Sequence, residues 1–115
     1  MSITRIDPGP RLSEAAVHGN RMYLSGMIPE DTSQDVTDQV KQALAEIDSL
    51  LAKGGSDKSR ILTAVIYLAD IGDFAAMNAV WDAWVSPGNT PARATVQAQM
   101  NDPKMKVEIV VVAAI

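Results

Sequence analysis

The sequence contains no cysteine, so disulfides and thiolate metal sites are both closed to it. It has a single histidine, His18, which excludes a metal centre assembled from several imidazoles. Its 10 basic residues are outnumbered by 14 acidic ones, for a net charge of −4, and the basic ones form no cluster. That balance disfavours a nucleic-acid surface, which needs a basic patch or stripe. No apolar run approaches the ~20 residues that span a bilayer, and the first residues are polar and charged rather than a targeting segment. The expectation is a soluble, cytoplasmic protein with no membrane or nucleic-acid partner. Repeats, linkers and low-complexity segments are absent too.

What is there is 115 residues, 47% of them hydrophobic, an ordinary composition for one folded domain over 1–115. Met1 to Ile6 predicts a short strand, ended by the loop chemistry of Asp7-Pro8-Gly9-Pro10. Residues 15–18 and 21–25 flank Gly19-Asn20 and predict a hairpin, because glycine and asparagine tolerate the positive φ of its turn. From Ser33 to Lys53 the period becomes helical: Val36, Val40, Ala43, Leu44, Ile47, Leu50 and Leu51 form one stripe. Thr32 or Ser33 is expected to cap this helix, Asp35 and Asp38 suit its positive end, and Gly54-Gly55 stops it.

Residues 61–68, Ile-Leu-Thr-Ala-Val-Ile-Tyr-Leu, read as a strand buried on both faces. Asp70 is then expected to cap a second helix with Phe74, Met77, Trp81, Trp84 and Val85 along its core side, ended by Ser86-Pro87-Gly88. In the last quarter Arg93, Thr95, Gln97 and Gln99 alternate with Ala94, Val96, Ala98 and Met100, the period of a half-buried strand. After Asn101-Asp102-Pro103-Lys104, the run 107–114 is apolar on both faces save for one carboxylate, Glu108. With turn residues between them, the two strands read as a hairpin.

The order β, hairpin, α, β, α, hairpin predicts an α+β fold, a mixed sheet with two helices on one face. The other face then carries apolar side chains with nothing over them. Another copy of the same chain is the simplest cover.

Several stretches are also recognisable together. They are Gly19-Asn20 leading to Leu24-Ser25-Gly26-Met27-Ile28-Pro29, then Ala75-Ala76-Met77-Asn78-Ala79-Val80-Trp81, then Pro91-Ala92-Arg93-Ala94-Thr95-Val96, then Lys106-Val107-Glu108-Ile109. In this order and spacing they resemble the RidA/YjgF family over nearly the whole chain. The resemblance implies a chorismate-mutase-like fold and a homotrimer with clefts between subunits. It further implies hydrolysis of 2-aminoacrylate and related 2-imino acids to 2-oxo acids and ammonia, without a cofactor or metal. It makes Arg93 the clamp for the substrate carboxylate and Glu108 the acid beside the attacking water. Ser25 would line the cleft, and the backbone around Thr95 would contact the substrate nitrogen. Leu12 stands where the family has a tyrosine, which marks a divergent branch.

The residues fit such chemistry. A guanidinium grips a carboxylate bidentately, and a carboxyl group can take and return a proton of water. In a hairpin turned at residues 101–104, Arg93 points to the same side as Glu108 but lies four residues further along, roughly 13 Å at strand rise. One small ligand cannot span that, so Arg93 of one subunit is expected to meet Glu108 of a neighbour. Taken singly, each residue has a plainer role. Arg93 serves equally as a solvated strand arginine, Glu108 as a salt-bridge partner across a subunit contact, and Ser25 as turn chemistry. His18 reads as a surface residue, Asn78 stays open, and Asp35, Asp38, Glu46 and Asp48 read as a solvated helix face. A non-catalytic trimer that binds small carboxylates would need Arg93 but not Glu108. A chorismate-mutase-like isomerase would need several cations about its dicarboxylate, and ribonuclease activity a basic groove.

Overall fold

The computed structural model describes Met1–Ile115. Its elements are β1 (Ile3–Pro8), β2 (Ser13–His18), β3 (Arg21–Leu24), α1 (Val36–Lys53), β4 (Ile61–Leu68), α2 (Phe74–Trp84), β5 (Ala92–Gln97) and β6 (Val107–Ala114). The six strands form one mixed sheet in the order β1-β2-β3-β6-β4-β5. The β2–β3 hairpin turns at Gly19-Asn20 as the sequence predicts, with Gly19 at φ 62° and His18 opposite Arg21. Both helices cover one face of the sheet.

Helix α1 begins at Val36, so its N-cap is Asp35, whose carboxylate accepts the Asp38 amide at 2.9 Å. Thr32 and Ser33 lie too early to cap it. Ser33 is held instead by Asp31, which accepts both its amide and its hydroxyl. Asp35→Ala is therefore expected to lower stability by about 1 kcal/mol, measured as a shift in the urea midpoint with an unchanged slope, whereas Ser33→Ala at the expected cap leaves the α1 cap bond in place.

The stripe of α1 packs against β4 and β6. Ala64, Ile66 and Leu68 of β4 and Val107, Ile109, Val111 and Ala113 of β6 enter the core, all essentially inaccessible. Their alternates Val65, Tyr67, Glu108, Val110 and Val112 are only half-buried. Neither strand is buried on both faces, then: a continuous apolar run hides a period-two alternation, because its second face is apolar yet uncovered. Tyr23 beside Val112 and Val96 beside Tyr67 extend that bare face, 44% and 41% exposed.

The expected β5–β6 hairpin does not form. β5 pairs in parallel with β4, Ala64 opposite Arg93, and β6 lies antiparallel between β3 and β4. A parallel neighbour reached through a helix is the ordinary β–α–β crossover, and α2 supplies it. The chain then wraps around the end of β4, where Ala98 N–H donates to the Leu68 carbonyl and Ala69 N–H to that of Lys106. Residues 101–104 do turn, with Asp102 accepting the Lys104 amide at 2.9 Å, but they carry the chain across one strand rather than back beside itself. Met77 and Trp81 of α2 enter the core as expected. Phe74 does not: it is 42% exposed, because the first turn of α2 overhangs β5, the last strand of the sheet.

One polar side chain is wholly buried. Gln39 of α1 donates through Nε2 to the carbonyls of Thr32, Gln34 and Lys104 and accepts the Lys106 amide at 2.8 Å. It ties the segment before α1 to the segment before β6. No helix is long and apolar enough to cross a membrane.

Candidate active site

Beyond β3 the chain continues along β6. Ser25 N–H donates to the Glu14 carbonyl at 2.9 Å, while Met27 and Ile109 exchange backbone bonds at 2.8 and 3.0 Å. This lays Ser25 and Gly26 beside Glu108 on the face away from the helices. The Glu108 carboxylate rests against the Gly26 α-carbon so closely that a Cβ there would overlap Oε2 and stand 2.7 Å from Cδ. Glycine is required at that position by proximity, not by φ.

Glu108, Ser25 and Leu12 line one cavity of about 580 Å³. Leu12 is 53% exposed and forms part of its apolar wall. Glu14, Glu30 and Glu46 join Glu108 there, and no lysine or arginine does. The Ser25 hydroxyl donates to Glu14 Oε2 at 3.4 Å. Behind Glu14 a smaller recess holds Asp7, Glu46 and Lys53. The Lys53 amine is pushed above its ordinary value, chiefly by its 2.8 Å hydrogen bond to Asp7 and then by the Asp7 charge, with lesser effects from Glu46 and Glu14.

Arg93 and Thr95 lie elsewhere. Their partners on β4 are Ala64 and Ile66, both in the core, so both side chains point toward the helices. The Arg93 guanidinium stands 5.4 Å from the Trp81 ring centroid and 5.9 Å from that of Phe74, with Nη1 4.0 Å from Met77 Sδ. The chain's one salt bridge joins Lys53 to Asp7, so Arg93 has no acid partner. Thr95 Oγ1 and Asn78 Oδ1, buried on the facing strand and helix, lack any hydrogen-bond partner.

Arg93 and Glu108 thus do not share a side, contrary to the hairpin geometry. Glu108 pairs with Tyr67, which pairs with Val96; Arg93 lies three residues before Val96, two strands away, and on the opposite face. Their α-carbons are roughly 14 Å apart by strand spacing and rise. Within one chain no small ligand touches both.

Glu14, Gly26 and Gln39 have parts in this geometry that the sequence analysis missed. Gln39 left a signal, since it sits between Val36, Val40 and Ala43 on the buried stripe of α1. Ser25-Gly26 looks like any strand-end turn, and nothing local reveals that Gly26 seats a carboxylate arriving from a strand some eighty residues later.

A family model described as Endoribonuclease L-PSP matches residues 2–115. The RutC family protein YoaB of Escherichia coli (strain K12) is 51% identical over 115 residues, which cover 100% of each chain. A solved structure of a YjgF family member from Neisseria meningitidis is 48% identical and superposes with a TM-score of 0.97, over 99% of this chain and 95% of that one. A more distant relative from Rattus norvegicus, 31% identical over 107 residues with 88% of this chain and 77% of its own covered, is named 2-iminobutanoate/2-iminopropanoate deaminase.

Proposed function

The chain belongs to the endoribonuclease L-PSP family, the RidA/YjgF proteins, and we propose that it hydrolyses 2-aminoacrylate and related 2-imino acids to 2-oxo acids and ammonia, at clefts between subunits of a homotrimer. The observation that carries this reading is the division of the machinery. An acid with an apolar wall faces one side of the sheet. A cation without an acid partner is held on the other side, at the edge strand. A second copy that brings its edge strand β5 against the bare face would unite them. The deaminase named among the relatives favours the same chemistry.

In that cleft Arg93 of one subunit grips the substrate carboxylate with its planar fork. The backbone around Thr95 contacts the nitrogen, while Leu12 and Ser25 of the neighbour border the reacting carbon. A water held by Glu108 attacks that carbon. Its oxygen bonds to carbon, one of its protons passes to Glu108, and the C=N π pair of the protonated imine moves to nitrogen. Glu108 returns the proton to nitrogen of the resulting carbinolamine. The C–N bond then breaks, ammonia leaves with the bonding pair, and the hydroxyl proton passes to Glu108 and on to solvent as C=O forms. No cofactor enters these steps.

Ammonia and 2-oxo acid release from freshly generated imino acids tests this. Arg93→Ala is expected to lower kcat/KM about 10²-fold, the loss of a charge-assisted bidentate contact. Glu108→Gln is expected to lower kcat about 10²–10³-fold, the loss of acid–base assistance. If wild type and both variants match the buffer rate, catalysis is rejected and a trimeric carboxylate-binding protein is left. An endoribonuclease reading is opposed by the charge of the chain, whose 10 basic residues are outnumbered by 14 acidic ones and form no basic groove.

A further inference from the structure

Glu14 takes no part in the reaction just described, yet it is tied twice to a residue that does. From β2 its carbonyl accepts the Ser25 amide at 2.9 Å, and its carboxylate accepts the Ser25 hydroxyl at 3.4 Å. Both side chains line the cavity that holds Glu108.

A serine hydroxyl has one proton and two lone pairs. With the proton turned toward Glu14, 3.4 Å away, lone pairs face the cleft, so Ser25 meets a ligand as an acceptor. Substrate and product differ in what they offer such an acceptor. A protonated imine carries two N–H bonds at the reacting carbon, enough for Ser25 and one further acceptor. A 2-oxo acid carries there a carbonyl oxygen, which can only accept and which a lone pair repels. Glu30 and Glu46 on the same wall add negative potential and no competing donor. The protonated imine is also the stronger electrophile toward water, so an acceptor at this place favours the reactive form over the neutral one.

We propose that Glu14 is a positioning residue for deamination: by holding the Ser25 proton it turns the Ser25 lone pairs toward the N–H of a protonated imine, and so selects that form against the neutral imine and the 2-oxo acid product. The inference rests on the deaminase reading. Its plainer rival is that Glu14 merely belongs to the charge group around Lys53, at which its field is felt. The two differ in a way that can be measured, since a glutamine keeps the acceptor but not the charge.

Wild type, Glu14→Leu, Glu14→Gln, Ser25→Ala and the double variant Glu14→Leu/Ser25→Ala are compared on freshly generated 2-iminopropanoate, with pyruvate as inhibitor. Glu14→Leu is expected to lower kcat/KM about tenfold, the worth of one oriented hydrogen bond to a charged group. Glu14→Gln recovers most of that loss, Glu14→Leu adds nothing in the Ser25→Ala background, and inhibition by pyruvate is not weakened. Wild-type rates in Glu14→Leu would overturn the proposal. So would glutamine performing as poorly as leucine, or an equal loss with and without Ser25. An inactive wild type would instead bring down the deaminase reading beneath it.

Discussion

Replacing Gly26 with alanine is expected to remove catalysis while leaving the protein folded. The new Cβ would overlap Glu108 Oε2 and stand 2.7 Å from Cδ and 3.0 Å from Cγ, so its three nearest neighbours all belong to one side chain. What must give way is therefore the far end of a flexible side chain, and the carboxylate swings off its seat. Gly26 has no positive φ, so alanine meets no backbone strain and the stability loss should stay within about 1 kcal/mol. The catalytic loss should match that of Glu108→Gln, about 10²–10³-fold in kcat, because an acid displaced by a few ångströms no longer reaches the water. Thermal denaturation and imine turnover on one preparation separate the two effects. Full activity in the alanine variant would mean that Glu108 is not used from the place it occupies.

The largest stability effect is expected at Gln39. Its amide satisfies three carbonyls and one N–H from two segments that meet over α1, and it is fully inaccessible. Leucine matches its size and leaves those groups without their partner. Each buried polar group orphaned in this way costs about 1–3 kcal/mol. Three carbonyls share two N–H bonds, so the sum is discounted to about 3–4 kcal/mol, near the upper end of single-residue effects. Urea unfolding of Gln39→Leu measures it. The segment that loses its anchor leads directly into β6, so turnover should fall at temperatures where the variant is still folded. A loss under about 1 kcal/mol would show that water replaces the amide without strain.

Local chemistry made most of the elements legible. The Gly19-Asn20 turn, the stripe from Val36 to Leu51 and the apolar run of β4 lie where their patterns put them. What could not be read was which strands are neighbours. Residues 101–104 form a turn, as their composition says, but a turn does not record whether the chain returns beside itself or passes over an intervening strand. The result turned on the parallel pairing of β4 with β5, which a helix crossover makes possible and no short motif announces. From that one difference follows the rest: β5 becomes the edge, Phe74 overhangs it, and Arg93 faces α2 instead of sharing a side with Glu108. The conclusion that one chain cannot bring the two together stands, on different geometry. The family likeness pointed to Arg93, Glu108, Ser25 and Thr95 by their motifs, and to Leu12 as a departure from one. Gly26 meets Glu108 and Glu14 meets Ser25 only through the pairing of strands, which a motif does not contain.

Subunit mixing tests the shared cleft most directly. Arg93→Ala chains keep Glu108 and Glu108→Gln chains keep Arg93, so each is inactive alone for a different reason. In the proposed trimer, chains co-expressed in equal amounts assemble at random into closed rings, and about one cleft in four then pairs an intact Arg93 with an intact Glu108. The co-expressed population should therefore show about one quarter of wild-type imine turnover, and trimers that contain both chains about one third. Activity no higher than that of the separate variants, in trimers verified to contain both chains, would contradict a site completed by two copies.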